Sequence, residues 1–341
     1  MLDTVKKLCA LSGVSGWEDE VRDYILERAL PWADETETDA MGNLYIFKKG
    51  AVTPPSPVMV CAHMDEVGLI ITAIDDEGYL KFDFVGGVDR RVVLGKRVFI
   101  GPDAVPGVIG LKAIHLTEAD ERTSVPKLES LCVDIGADDA QEAKKRVRPG
   151  DRGVFDNTVY EFGDGLLKAK ALDDRVGCAA MLKLLEEDLP TDTWFVFTVQ
   201  EEVGCRGAAV AASRVRPGFA LVLEGTTAAD MAGTEKGREV CFLGRGPVIP
   251  FMDRGTIYDH ALWERITALA ERKGETWQTK SMVSGGTDAS AIQRRESGAK
   301  VLTVSTALRN IHSPASVGHV RDMEALPRLA KMILEEMSCD D

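Results

Sequence analysis

The side chains best suited to chemistry stand in five separate stretches: His63-Met64-Asp65-Glu66, Asp173-Asp174-Arg175, Glu201-Glu202, Glu224 and His312-Ser313-Pro314. Most of them border apolar runs, where a charged group is costly unless something compensates it. The adjacent glutamates make the point most sharply. Trp194-Phe195-Val196-Phe197-Thr198-Val199 reads as a buried strand and leads directly into Gln200-Glu201-Glu202-Val203-Gly204. Neighbours in a regular strand point to opposite faces, so Glu201 and Glu202 share one site only where the pleat breaks. Gly204 and Gly207 are expected to supply that freedom.

Each stretch alone has an ordinary explanation. His63 and Asp65 on one strand face could hydrogen-bond each other, and Asp173-Asp174 could serve a helix N-terminus. Glu224 beside Gly225 could be solvated, and His312 before Ser313-Pro314 could lie on the surface. One shared cause is more economical than five coincidences. A centre for two divalent cations needs a bridging carboxylate, N and O ligands on each side, and room for a water between them. Imidazole with carboxylate suits zinc, cobalt or manganese, and no cysteine belongs to the set. A further carboxylate that does not ligate can take the water's proton and pass it to a leaving group. Glu201 and Glu202 fit that division of labour.

The elements that position these residues have two textures. Residues 2–11 and 17–31 read as helices, with Ser15 and Glu18 in capping-box spacing, and Leu44-Tyr45-Ile46-Phe47 and Val58-Met59-Val60-Cys61-Ala62 read as strands. After residue 163 helices and strands alternate. A helix over 175–187 precedes the strand that runs to the glutamate pair, and a short helix follows near 208–212. The strand Phe219-Ala220-Leu221-Val222-Leu223 ends in Glu224, and then come a helix over 258–273, the strand Val301-Leu302-Thr303-Val304, and a last helix over 323–337 with Pro327 in its first turns. This is α/β texture, implying a mostly parallel sheet covered by helices on both faces, with ligands bound beyond the strand carboxyl ends. Residues 69–162 differ. Short strands separated by Gly and Pro, and one helical stretch over 139–147, predict a small β-barrel inserted into the other fold. The expected division is therefore a discontinuous catalytic part, 1–68 and 163–341, around an insert, 69–162.

Composition narrows the function class. The chain has 341 residues, 45% hydrophobic and 28% charged, with a formal charge of -14. That acidity disfavours nucleic acid and anionic membrane as partners. No apolar run approaches a membrane span and the N-terminus lacks a secretory pattern, so a cytoplasmic protein is expected. Seven scattered cysteines, at 9, 61, 132, 178, 205, 241 and 339, read as reduced core residues without CxxC spacing.

The motifs also carry a resemblance. Ala62-His63-Met64-Asp65-Glu66-Val67-Gly68, Lys170-Ala171-Leu172-Asp173-Asp174-Arg175-Val176-Gly177-Cys178, Gln200-Glu201-Glu202-Val203-Gly204 and Ile311-His312-Ser313-Pro314 resemble the tetrahedral aminopeptidase family, which includes glutamyl aminopeptidases. Asp39-Ala40-Met41-Gly42-Asn43, Val85-Gly86-Gly87, Asp134-Ile135-Gly136, Gly246-Pro247 and Gly286-Thr287-Asp288-Ala289 extend the likeness nearly end to end. The resemblance implies that His63, Asp173 and Glu224 hold one metal, that Asp173, Glu202 and His312 hold the other, and that Asp173 bridges. It makes Glu201 the general base toward a metal-bridging water and Asp65 the group that orients His63. Family members usually carry Asp where this chain has Glu224. The resemblance further implies a cis peptide after Asp173, two zinc or cobalt ions per subunit with manganese as an option, peptide substrates with a free N-terminus, and a homo-oligomer. That oligomer is a tetrahedral dodecamer or a dimer built through the inserted domain.

Other classes are open at this stage. A related dinuclear deacylase acting on small N-acyl amino acids would use the same centre. A glycoside hydrolase needs two carboxylates straddling a sugar, which adjacent glutamates do not provide, and leaves both histidines unexplained. A non-catalytic scaffold would have no need of a complete ligand set.

Overall fold

The computed structural model describes residues 1–338, so Cys339 lies outside the described residues. Two sheets account for its strands. One has nine strands, in the spatial order Glu35–Thr38, Leu44–Lys48, Thr193–Thr198, Val58–His63, Phe219–Thr227, Lys300–Arg309, Ser316–His319, Leu166–Ala169 and Tyr160–Phe162. Parallel pairing is confined to the four central strands, 193–198, 58–63, 219–227 and 300–309. Antiparallel strands flank them on both sides. The side chains of Val58–His63 show why helices must cover both faces. Val58, Val60 and Ala62 enter one apolar cluster with the helices Leu2–Ala10, Asp19–Ala29, Leu172–Leu185 and Val320–Met337. Met59 and Cys61 enter another with the helices Arg206–Val215 and Ala289–Gln293.

The second sheet closes into a barrel of Gly68–Ile74, Leu80–Val85, Leu131–Asp134, Val105–Leu111, Arg97–Ile100 and Arg152–Phe155. Its own core holds Leu69, Ile71, Phe82, Val98, Val133 and Phe155. The chain enters it directly after His63 and returns at Tyr160–Phe162, which pairs with Leu166–Ala169 in the large sheet. The return therefore precedes residue 160, earlier than the texture change at 163 suggests.

Four local expectations are corrected. Glu18 does stand at the N-cap of Asp19–Ala29, but no side-chain cap is formed there. Ser15 instead donates to Asp65 at 2.6 Å, and Glu18 accepts from Gly16 and Gln200. Glu224 lies inside its strand, which continues to Thr227 because Gly225 and Thr226 keep pairing with 300–309. Pro327 falls within the Val320–Met337 helix rather than at its start. The break before the glutamates is made by Gln200 at φ 57, with Gly204 at φ 118 beyond them. Gly207 instead starts a helix so tightly packed that a Cβ would lie 2.3 Å from Asn43 Oδ1. Among the described residues no helix is long and apolar enough to cross a membrane, and the six described cysteines are free.

Candidate metal centre

All five stretches meet at the carboxyl edge of the parallel strands. His63 ends its strand, Asp173 begins a buried helix, Glu224 comes from the neighbouring strand, and Glu202 and His312 reach in from loops. Asp173 sits between the two imidazoles. Its Oδ1 is 3.3 Å from His63 Nε2 and its Oδ2 is 3.4 Å from His312 Nε2. Glu224 Oε1 lies 3.3 Å from His63 Nε2, so the longer side chain at this position reaches the cluster. Glu202 Oε2 lies 3.1 Å from His312 Nε2. Glu201 joins a separate group with Cys205 and Asp288, each offering an atom within 4.8 Å of the others.

The backbone is bent to make this possible. The Asp173–Asp174 peptide bond is cis. Ala171, Gln200, Cys205 and His312 all adopt left-handed conformations without being glycine, and such conformers concentrate at functional sites.

The donor set fits divalent cations. His63 Nδ1 faces the Asp65 carbonyl at 3.1 Å and His312 Nδ1 faces the Gly87 carbonyl at 3.2 Å. A ring nitrogen against a carbonyl oxygen carries the hydrogen, so in each neutral ring the Nε2 lone pair is turned toward carboxylate oxygens. With neutral rings acceptor then faces acceptor at both histidines, an arrangement that a shared cation resolves, as does a proton on each ring, and both imidazoles are held above their ordinary range by the carboxylates they face. Ionisation points the same way. Burial pushes Glu202 and Glu224 well above the usual carboxylate range, with neighbouring acids adding to the effect. Burial likewise raises Glu201 to about 8, with Asp288, Asp173 and Asp65 adding to it against His63. Burial also opposes charge on Asp173, yet hydrogen bonds from His312 and His63 hold it well below its normal value. Positive charge is what the cluster lacks.

Asp65 acts mainly on the glutamates. Its Oδ1 accepts the Glu201 N–H at 3.0 Å and its Oδ2 the Glu202 N–H at 3.1 Å, while its contact with His63 Nδ1 is longer, 3.4 Å. Glu66 is not part of the cluster. Its carboxylate accepts from Lys170, Arg175 and the Gly13 amide, tying the residues on both sides of Asp173 to the strand that carries His63.

Two carboxylates escape the reading of the five stretches as ligand sources. Asp174 lies with His63 and Glu224 in one potential ligand group, and its Oδ2 is buried without a partner. Asp288 is buried, with Oδ2 accepting from Thr198 at 2.6 Å and Oδ1 unpartnered. The first was visible as half of Asp173-Asp174. The second stands in Gly286-Thr287-Asp288-Ala289 with no local signal of burial.

A family model described as M42 glutamyl aminopeptidase matches residues 42–329. The chain belongs to that family. The aminopeptidases of the family are hydrolases acting on peptides, and the same holds for this chain. A putative aminopeptidase of Acetivibrio thermocellus is 36% identical over 331 residues, covering 96% of this chain and 97% of that protein. The fold agrees equally well with solved structures. The aminopeptidase APDkam598 from the archaeon Desulfurococcus kamchatkensis superposes with a TM-score of 0.92 at 38% identity, covering 98% of this chain and 94% of that one. The TET1 peptidase of Pyrococcus horikoshii, described as able to assemble into a tetrahedron or a large octahedral shell, gives 0.87 at 32% identity, covering 98% and 99%.

Proposed function

We propose that this M42 peptidase is a two-cation aminopeptidase in which Glu201 carries the proton. The observation that supports this most is Asp173, whose two oxygens each meet a different imidazole. In this reading His63, Asp173 and Glu224 hold one cation, and Asp173, Glu202 and His312 hold the other. Zinc or cobalt suits the N/O set, with manganese next. When bound, such ions polarise a scissile carbonyl and lower the pKa of the attacking water. Glu201 is free of the ligand set and accepts that water's proton, then delivers it to the departing amine. Asp65 fixes the turn that aims both glutamates. The acidic cluster also attracts a protonated N-terminus, which suits peptides with a free amine and disfavours N-acyl amino acids.

The barrel has a proposed second role in assembly. Val108, Leu111, Ile114 and Leu116 expose between 41% and 74% of their surface along one arm of the insert, as an interface between copies would require. A homo-oligomer follows, either dimer or tetrahedral dodecamer, and light scattering distinguishes the two. The activity reading is tested by comparing an amino acid p-nitroanilide with its N-acetylated form. Hydrolysis confined to the free-amine substrate is expected. Preference for the acetylated one would support the deacylase reading instead.

A further inference from the structure

Cys205 places its thiol beside two carboxylates that the two-cation reading leaves unused as ligands. It stands at the N-cap of the helix Arg206–Val215, in a left-handed conformation at φ 53, and makes no side-chain hydrogen bond to that helix. Its Sγ lies 3.4 Å from Glu201 Oε1, and Ser290 Oγ donates toward it from 4.0 Å. Glu201, Cys205 and Asp288 each offer an atom within 4.8 Å of the others.

Asp288 shows that this group is short of a partner. It is 1% exposed, its Oδ2 accepts from Thr198 at 2.6 Å, and its Oδ1 is buried with no partner. A buried carboxylate oxygen left unpaired is costly. The thiol cannot serve both acids, since its single hydrogen is directed to Glu201. A cation serves all three at once. Ligand atoms about 2.0–2.3 Å from a tetrahedral zinc-type ion lie roughly 3.3–3.8 Å from one another, and the 3.4 Å between Cys205 Sγ and Glu201 Oε1 is already of that size. The helix N-terminus favours the thiolate form that such an ion needs. The group can be reached from outside. Glu201 and Cys205 are partly buried, and between them Gly204 is exposed, where an added Cβ would meet nothing within 4 Å.

We propose that Glu201, Cys205 and Asp288 form a third cation site, selective for thiophilic ions such as zinc and cadmium, whose occupation withdraws Glu201 from proton transfer and stops turnover. The inhibition rests on the reading of Glu201 as the base; the site itself does not. Binding replaces the thiol hydrogen with a sulfur–metal bond, releases that proton to solvent, and leaves a fourth position for water. A thiolate selects soft ions, so manganese and magnesium bind poorly there. Zinc beyond two ions per subunit is then an inhibitor, and manganese is not.

The test adds cadmium to the cobalt-loaded enzyme and follows three quantities together: metal content by elemental analysis, the ultraviolet sulfur-to-cadmium charge-transfer band, and turnover of an amino acid p-nitroanilide. One cadmium per subunit is expected to bind with both cobalt ions retained, and the band should grow in step with the loss of turnover. Cys205→Ser should abolish the band and raise the cadmium concentration for half-inhibition by about 10-fold or more. Asp288→Asn should raise that concentration while keeping the band. Manganese in place of cadmium should leave turnover unchanged. Cadmium that binds without the band, or that displaces cobalt instead of adding to it, overturns the site, and neither result needs a variant to fold. A band and a half-inhibition point unmoved by Cys205→Ser overturn it as well. A full band with undiminished turnover would leave the site standing and contradict Glu201 as the base.

Discussion

The Asp65 carboxylate lies beneath the turn that carries both glutamates, 3.0 Å from the Glu201 amide and 3.1 Å from the Glu202 amide. Ser15 completes its partners at 2.6 Å. One buried side chain therefore joins the N-terminal loop, the end of the His63 strand and the turn that carries Glu201 and Glu202. Asp65→Asn turns an N–H donor toward at least one of these donors. The expected result is a fall in turnover of roughly 10- to 100-fold, as for other groups that orient ligands, and a stability loss of about 1–3 kcal/mol from the unsatisfied donors. Steady-state kinetics and urea denaturation of the same preparation measure the two effects.

The barrel contributes to the centre through its Val85-Gly86-Gly87 segment. Gly86 has φ 82, and a Cβ there would lie 2.8 Å from Val67 Cγ1 and 3.3 Å from Glu202 Cβ. Gly87 supplies the carbonyl that orients His312. Gly86→Ala is therefore predicted to weaken one cation more than the other, while lowering stability by about 1–3 kcal/mol. Isothermal titration of the apo protein should show the two affinities diverging. Equal loss at both sites would remove the barrel from the ligand geometry.

Acid sensitivity has a source away from the metal site. Burial opposes charge on Asp230, but the Arg309 guanidinium, at 2.7 and 2.8 Å, and the Leu243 amide hold its pKa below normal. A depressed carboxylate adds stability above its unfolded pKa and loses it as pH falls through the folded value. The stability gap between wild type and Asp230→Asn should thus be present above about pH 4 and close below it. Urea midpoints across that range check the sign.

Much of the acid and imidazole cluster was legible because several of its members sit where strands end, and strand ends show in sequence as apolar runs meeting charge. His63 and the glutamate pair were readable in that way, whereas Asp173 stood before an expected helix and His312 before a turn. Glu224 was readable too, although its strand runs on to Thr227, since pairing with 300–309 continues through Gly225. What the sequence hid were the relations made by the folded chain. Ser15 and Glu18 have capping spacing, but Asp65 and the Gln200 amide draw their side chains away. Parallel pairing fills only the sheet's centre, because the outer strands arrive through hairpins and short connections.

The most direct test of the two-cation account is metal content measured together with turnover in Glu201→Gln and Glu202→Ala. Elemental analysis should find two ions per subunit in Glu201→Gln, with turnover reduced by about 10²- to 10⁴-fold, and only one in Glu202→Ala. Full metal content in Glu202→Ala, or near-normal turnover in Glu201→Gln, would contradict the division of roles between the two glutamates.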